Sequence, residues 1–105
     1  MSTRKKKSGA MMFLQDVAGG ALTLGGLLES IRLGEKMPQV DFAKLLKISK
    51  SHLCDIEKGR KVVSPGRAAR FAKTLGYSED QFVRLALQAQ VEEAGLKLKV
   101  SVEAA

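Results

Sequence analysis

The sequence predicts an all-α domain of five short helices, closed by a short C-terminal β-strand. Two observations point to the helices and a third to the strand. From Leu24 to Ala89 apolar residues recur at spacings of three and four, the period of one helix face. Small polar residues, prolines and glycines stand where those runs begin and end. After Gly95 the period falls to two: Leu96, Leu98, Val100 and Val102 alternate with Lys97, Lys99 and Ser101.

Taken in order, Thr23 caps a first helix whose Leu24, Leu27, Leu28 and Ile31 form its inner stripe, with Gly34 and Pro38 bracketing its end. A second begins near Gln39 and turns Phe42, Ala43 and Leu46 inward. A third runs from Lys50 to Lys58, with Ser49 as cap and Gly59 just beyond. Ser64–Pro65 opens a fourth, since proline suits the first helical turn, and Gly76 closes it. Ser78 with Gln81 reads as a capping box for a fifth, whose Phe82, Leu85, Ala86 and Ala89 line one side. Residues 96–102 then read as one strand without a visible partner in the chain, and a lone strand is not stable in water.

The chain of 105 residues divides into a flexible basic arm (1–20), a helical domain (21–94) and a C-terminal strand or tail (95–105). Within the arm, Met11 to Ala18 has room for two helical turns; it reads either as a staple onto the domain or as an arm for a partner. The composition, 45% hydrophobic and 28% charged, is that of a soluble globular protein. One cysteine, Cys54, excludes an internal disulfide and fits a reducing cytoplasm. No apolar run reaches 18 residues, so a cytoplasmic location is expected and a membrane is not. The net charge of +7 is unevenly spread: residues 44–73 alone carry nine basic and two acidic side chains, and Arg4 to Lys7 add four more cations. A basic segment on an otherwise slightly acidic chain is the footprint of a protein that meets a polyanion.

The segment "KLLKISKSHLCDIEKGR", Lys44 to Arg60, places two helical patterns only three residues apart, Lys47–Ile48–Ser49. Two short helices so joined, the second opening with small polar side chains, read as a helix-turn-helix. Ala43 must be small where the second helix crosses, and Leu46, Ile48, Leu53 and Ile56 must be apolar to lock the pair. "QVDFAKLLKISKSHLCDIEKG" and "SPGRAARFAKTLGYSEDQF" resemble the corresponding helices of the Cro and phage-repressor (XRE) family, the lambda-repressor-like five-helix domains. The resemblance covers Thr23 to Leu87.

The resemblance implies a dimeric, sequence-specific repressor that reads a palindromic operator in double-stranded DNA. Lys50, Ser51 and Asp55 occupy the positions that in the family face base edges. Gln39 corresponds to the residue that clamps a phosphate, and Ser49 and His52, flanking the base-reading positions, are expected to reach phosphates or bases. Lys58, Arg60 and Lys61 lie in the loop that grips the backbone. Arg32 and Glu57 match a family salt bridge and read as structural. Two departures stand out. Lys47 replaces the usual turn glycine, at a cost of roughly 1 kcal/mol if left-handed, with its side chain then near phosphates. Pro38 replaces the usual Ser or Thr cap, leaving Asp41 to support that helix end. Asp55 has two readings, as an acceptor from cytosine N4 or as a group orienting a neighbouring cation. The basic arm reads either as minor-groove contact or as a solvated tail.

Catalysis is not expected. The one histidine, His52, lies on the DNA-facing side, and "GGALTLGG" lacks the strand and Lys–Ser/Thr of a phosphate loop. His52 and Cys54 are too few for a metal site, and no cofactor is expected. A second function follows from the same resemblance: antitoxins of RelE-type operons share this domain, repress their own operon and add a toxin-binding segment. The strand Leu96, Leu98, Val100 and Val102 would serve either a homodimer or the sheet of a toxin protein.

Overall fold

The computed structural model describes residues 22–105, and the readings made for residues 1–20 lie outside it. Five helices follow in order: α1 (Leu24–Gly34), α2 (Gln39–Leu46), α3 (Lys50–Glu57), α4 (Pro65–Leu75) and α5 (Glu79–Glu93). Four begin with a hydroxyl cap. Thr23, Ser49, Ser64 and Ser78 accept hydrogen bonds from the backbone N–H of Gly26, His52, Arg67 and Gln81, at 3.0, 3.0, 3.2 and 3.3 Å. Each satisfies a donor that the first helical turn leaves without a partner. α2 is the exception: Pro38 makes no side-chain cap, and Asp41 stands in the first turn, where a negative charge suits the helix dipole.

All five helices end the same way. Lys36, Lys47, Gly59, Gly76 and Gly95 have positive φ, and the residue after each donates its N–H to the carbonyl five residues back, in the Schellman arrangement. These bonds run from Met37 to Arg32 O, Ile48 to Ala43 O, Arg60 to Asp55 O, Tyr77 to Ala72 O and Leu96 to Val91 O, at 2.8–3.1 Å. Met37, Ile48 and Tyr77 then pack their side chains on the core. Those three stops are therefore hydrophobic contacts as well as hydrogen-bonded reversals. Lys47 takes the left-handed conformation that its position in the turn required, at φ 61° and ψ 43°.

The core is aliphatic with three phenylalanines. Leu24, Leu27, Leu28 and Ile31 of α1 meet Phe42, Ala43 and Leu46 of α2, Leu53 and Ile56 of α3, Ala68, Phe71, Ala72 and Leu75 of α4, and Phe82, Leu85 and Ala86 of α5. Val63, in the α3–α4 connection, completes it. Burial of the larger of these side chains contributes about 1.5–3 kcal/mol each before chain entropy is set against it. α4 and α5 pair most extensively, while α3 is held between α1 and α2. The contact between α1 and α3 is unusually close. A Cβ built on Gly25 would overlap the carbonyl oxygen of Ile56, so only glycine lets the two backbones approach this far.

The C-terminal strand expected from the alternation is not formed. Residues 96–105 are neither helical nor part of a ladder, and none of the described residues is in a β-strand. A strand needs backbone partners along its length, and among the described residues this segment lies beside α5 with no strand to pair with. The side chain of Gln88 on α5 takes their place: its Nε2 donates to Leu98 O at 2.9 Å and its Oε1 accepts from Val100 N–H at 2.8 Å. One carboxamide thus satisfies the two backbone groups that flank Lys99, as a neighbouring strand residue would.

Gly25→Ala is expected to lower unfolding free energy by about 3 kcal/mol, an overpacking cost at a backbone contact. Gly34 is the control, because a Cβ added there would meet nothing within 4 Å. Its alanine variant should leave stability unchanged or raise it by up to about 1 kcal/mol. Urea midpoints of the two variants decide it.

Candidate nucleic-acid interface

The site is built on the turn between α2 and α3. With its reversal at Lys47 and its cap at Ser49, the chain passes from one helix to the next through three residues. α3 then buries Leu53 and Ile56, which seats the helix and leaves Lys50 and Ser51 exposed at its N-terminal end. An α-helix so presented fits the major groove of B-DNA.

Glu57 locks α3 from behind. Its side chain is only 2% exposed and receives three hydrogen bonds. Arg32 of α1 grips it with a two-pronged contact, Nε to Oε2 at 2.8 Å and Nη2 to Oε1 at 3.0 Å. Gln39 of α2 donates Nε2 to Oε1 at 2.9 Å. Arg32 also donates Nη1 to Met37 O at 3.2 Å, tying in the α1–α2 connection. The hydrogen bond to Glu57 is the main cause that raises the Arg32 pKa above its ordinary value, against the opposing effect of burial. The sequence pairs Arg32 with Glu57; the place of Gln39 in the same network is visible only in three dimensions. A carboxamide nitrogen carries two hydrogens, so the bond to Glu57 leaves Gln39 one for another acceptor.

A shallow cleft of about 230 Å³ brings Gln39, Lys50, Ser51, Asp55 and Arg60 onto one surface, with Cys54 among them. Asp55 is half-buried and accepts from Arg60 Nε at 2.9 Å, while its backbone carbonyl accepts from the N–H of Arg60 at 2.8 Å and of Lys61 at 3.3 Å. Of its two readings, this geometry is the one in which Asp55 orients a cation. Arg60 Nη2 also lies 3.8 Å from Cys54 Sγ. Lys47 and Lys58 are exposed at the two ends of α3.

His52 faces Arg67, at the start of α4, rather than open solvent alone. Arg67 Nη1 stands 3.4 Å from His52 Nδ1 and 3.5 Å from Nε2. Burial lowers the His52 pKa below its ordinary value, and Arg67 and Lys61 push the same way, against Asp55. Each of the three favours the neutral imidazole over the charged one. Arg67 is absent from the sequence-derived site. Its only signal there was membership of the basic segment, and its partnership with His52 spans fifteen residues of chain.

A family model described as a helix-turn-helix domain matches residues 23–85, from the cap of α1 into α5. The chain belongs to the helix-turn-helix domain family. Comparisons with curated proteins and with solved structures find no match. The family assignment agrees with the XRE resemblance and makes DNA binding, in the context of transcription regulation, the function to which this helix-turn-helix domain points. Among the described residues no helix is long and apolar enough to cross a membrane.

Two outcomes follow from this geometry. Arg32→Ala leaves the Glu57 carboxylate buried without its cation, and unfolding free energy should fall by about 3 kcal/mol in chemical denaturation. The second concerns pH. A histidine whose pKa is lowered on folding adds no instability above its unfolded value of about 6.5, where both states are neutral. It destabilises as pH falls through that value, because the unfolded chain binds the proton more readily. Melting temperature should therefore decline from about pH 7.5 to about pH 5.5, a window that brackets the unfolded value, and His52→Gln should flatten part of that decline.

Proposed function

We propose that this protein is a sequence-specific transcriptional repressor that binds a palindromic operator as a dimer in the cytoplasm. One observation carries the reading: α3 is fastened on its inner side by Glu57 and its apolar residues, while its N-terminal face is exposed and ringed by cations. Lys50 and Ser51 read base edges, and Asp55 takes part at the groove floor while holding Arg60. Lys47, Ser49, Lys58, Arg60 and Lys61 meet phosphates. Gln39 does so with its remaining N–H, beside the free amides of the first turn of α2. His52 stands between bases and backbone. One such helix spans only a few base pairs, so two copies on a two-fold axis are needed for useful specificity.

A second reading is favoured by the exposed tail. In it the protein is an antitoxin that neutralises a RelE-type toxin through its termini and represses its own operon. The exposed Leu96 and Leu98 are the supporting observation, since an unpaired edge with apolar side chains suits addition to a sheet. Both readings keep the same DNA-binding face.

The test compares binding to the DNA upstream of its own gene with binding to random duplex at two salt concentrations. The repressor predicts a preference of about 10³-fold or more, weakening as salt rises. Lys50→Ala with Ser51→Ala should abolish that preference and leave weak, salt-sensitive binding. A retained preference in the double variant would assign base reading to another element.

A further inference from the structure

Gln88 holds one edge of the tail and leaves the other open, and the sequence says what fits the open one. In an extended segment the N–H and C=O of one residue point to the same edge, and those of the next residue to the other. Gln88 holds Leu98 O and Val100 N–H, so the even-numbered edge lies against α5. The N–H and C=O groups of Lys97, Lys99 and Ser101 face away from it, and no backbone bond to them is formed among the described residues. On the same segment Leu98 is the most exposed large hydrophobic residue described, at 62%, with Leu96 at 51%.

From this geometry, we infer that a second copy of this chain pairs with this edge, antiparallel, with Val100 facing Val100 across the two-fold axis. The inference rests on the dimer of the proposed function and adds the surface and register. Charge selects the register. Like charges directly opposite on paired strands are unfavourable and opposite charges favourable. An axis through Leu98 sets Lys97 against Lys99 twice, and an axis through Lys99 sets that lysine against itself. An axis through Val100 sets Lys97 against Glu103 on both sides, Lys99 against Ser101, and Leu98 against Val102. An axis through Ser101 also opposes Lys99 to Glu103, but it sets Leu98 against Ala104 in place of Val102 and so gives up the larger apolar pair. With the axis at Val100 the backbone bonds run between Lys99 and Ser101 of opposite copies, on the edge that Gln88 leaves open. The central valines then form a non-hydrogen-bonded pair, whose Cα atoms lie about 4.5 Å apart.

Single cysteines at Val100, Lys99 and Ser101, each in a Cys54→Ser background of verified fold, test the register by mild oxidation of the full-length protein. Val100→Cys should crosslink at least about tenfold faster than either neighbour, because its Cβ atoms are the closest across the axis. Faster crosslinking through Lys99→Cys or Ser101→Cys would overturn the register. Slow crosslinking of all three in a chain that sediments as a dimer would overturn the Val100 axis and leave the dimeric repressor standing. A chain that sediments as a monomer, alone and on its operator, would remove both. Charge reversal gives an independent reading: Lys97→Glu or Glu103→Lys should weaken dimerisation roughly tenfold, and the double variant should restore it. Failure of the double variant to restore it would count against the Lys97–Glu103 pairing.

Discussion

A buried carboxylate holds this domain in working order. Glu57 sits at the last turn of α3 with three donors on its two oxygens, drawn from α1 and α2. Because the side chain is almost fully enclosed, its charge is tolerable only with the Arg32 fork in place. The same contact therefore fixes the mutual angle of three helices. Everything that α3 offers outward, including Lys50, Ser51 and the Asp55–Arg60 pair, inherits its aim from this internal junction.

Around it the fold repeats one device. Five helices stop at five left-handed residues, each followed by a hydrogen bond that reaches back five residues. The repetition explains how helices of eight residues persist, when isolated helices of that length are marginal in water. Their ends are hydrogen-bonded, and three of the five reversals also drive an apolar residue into the core. Lysine at two of these positions trades backbone ease for a cation, and at Lys47 that cation sits between α2 and α3.

Much of this was legible in the sequence, because the deciding interactions are local. Hydroxyl caps at Thr23, Ser49, Ser64 and Ser78, the stop at Gly76 and the strained turn at Lys47 all act within a few residues of themselves. The apolar stripes of α1 to α5 were readable for the same reason. What escaped were long-range contacts. Gln88 gives no sign in the sequence that it will bridge the tail, since its amide could as easily face water. The alternation after Gly95 signals a segment fit for a strand, but alternation cannot supply a neighbour, and within the described residues there is none. Arg67 beside His52 and Gln39 on Glu57 are likewise products of helix placement, and Gly25 reads locally only as a weak helix former. Five of the residues singled out in the sequence, Gln39, Lys50, Ser51, Asp55 and Arg60, share one surface, but the bonds that wire them could not be read there.

The contact between Gly25 and the carbonyl of Ile56 has a consequence for how such a protein diverges. Where two helices meet through side chains, any change in those side chains moves the helices. Here α1 and α3 also touch backbone to backbone, and like the inward-facing Arg32–Glu57 fork that contact involves none of the residues α3 turns outward. The outer positions of α3 are consequently free to be rewritten without tilting the helix that carries them. A change at Lys50 or Ser51 therefore alters what α3 presents and leaves the seat of the helix as it was.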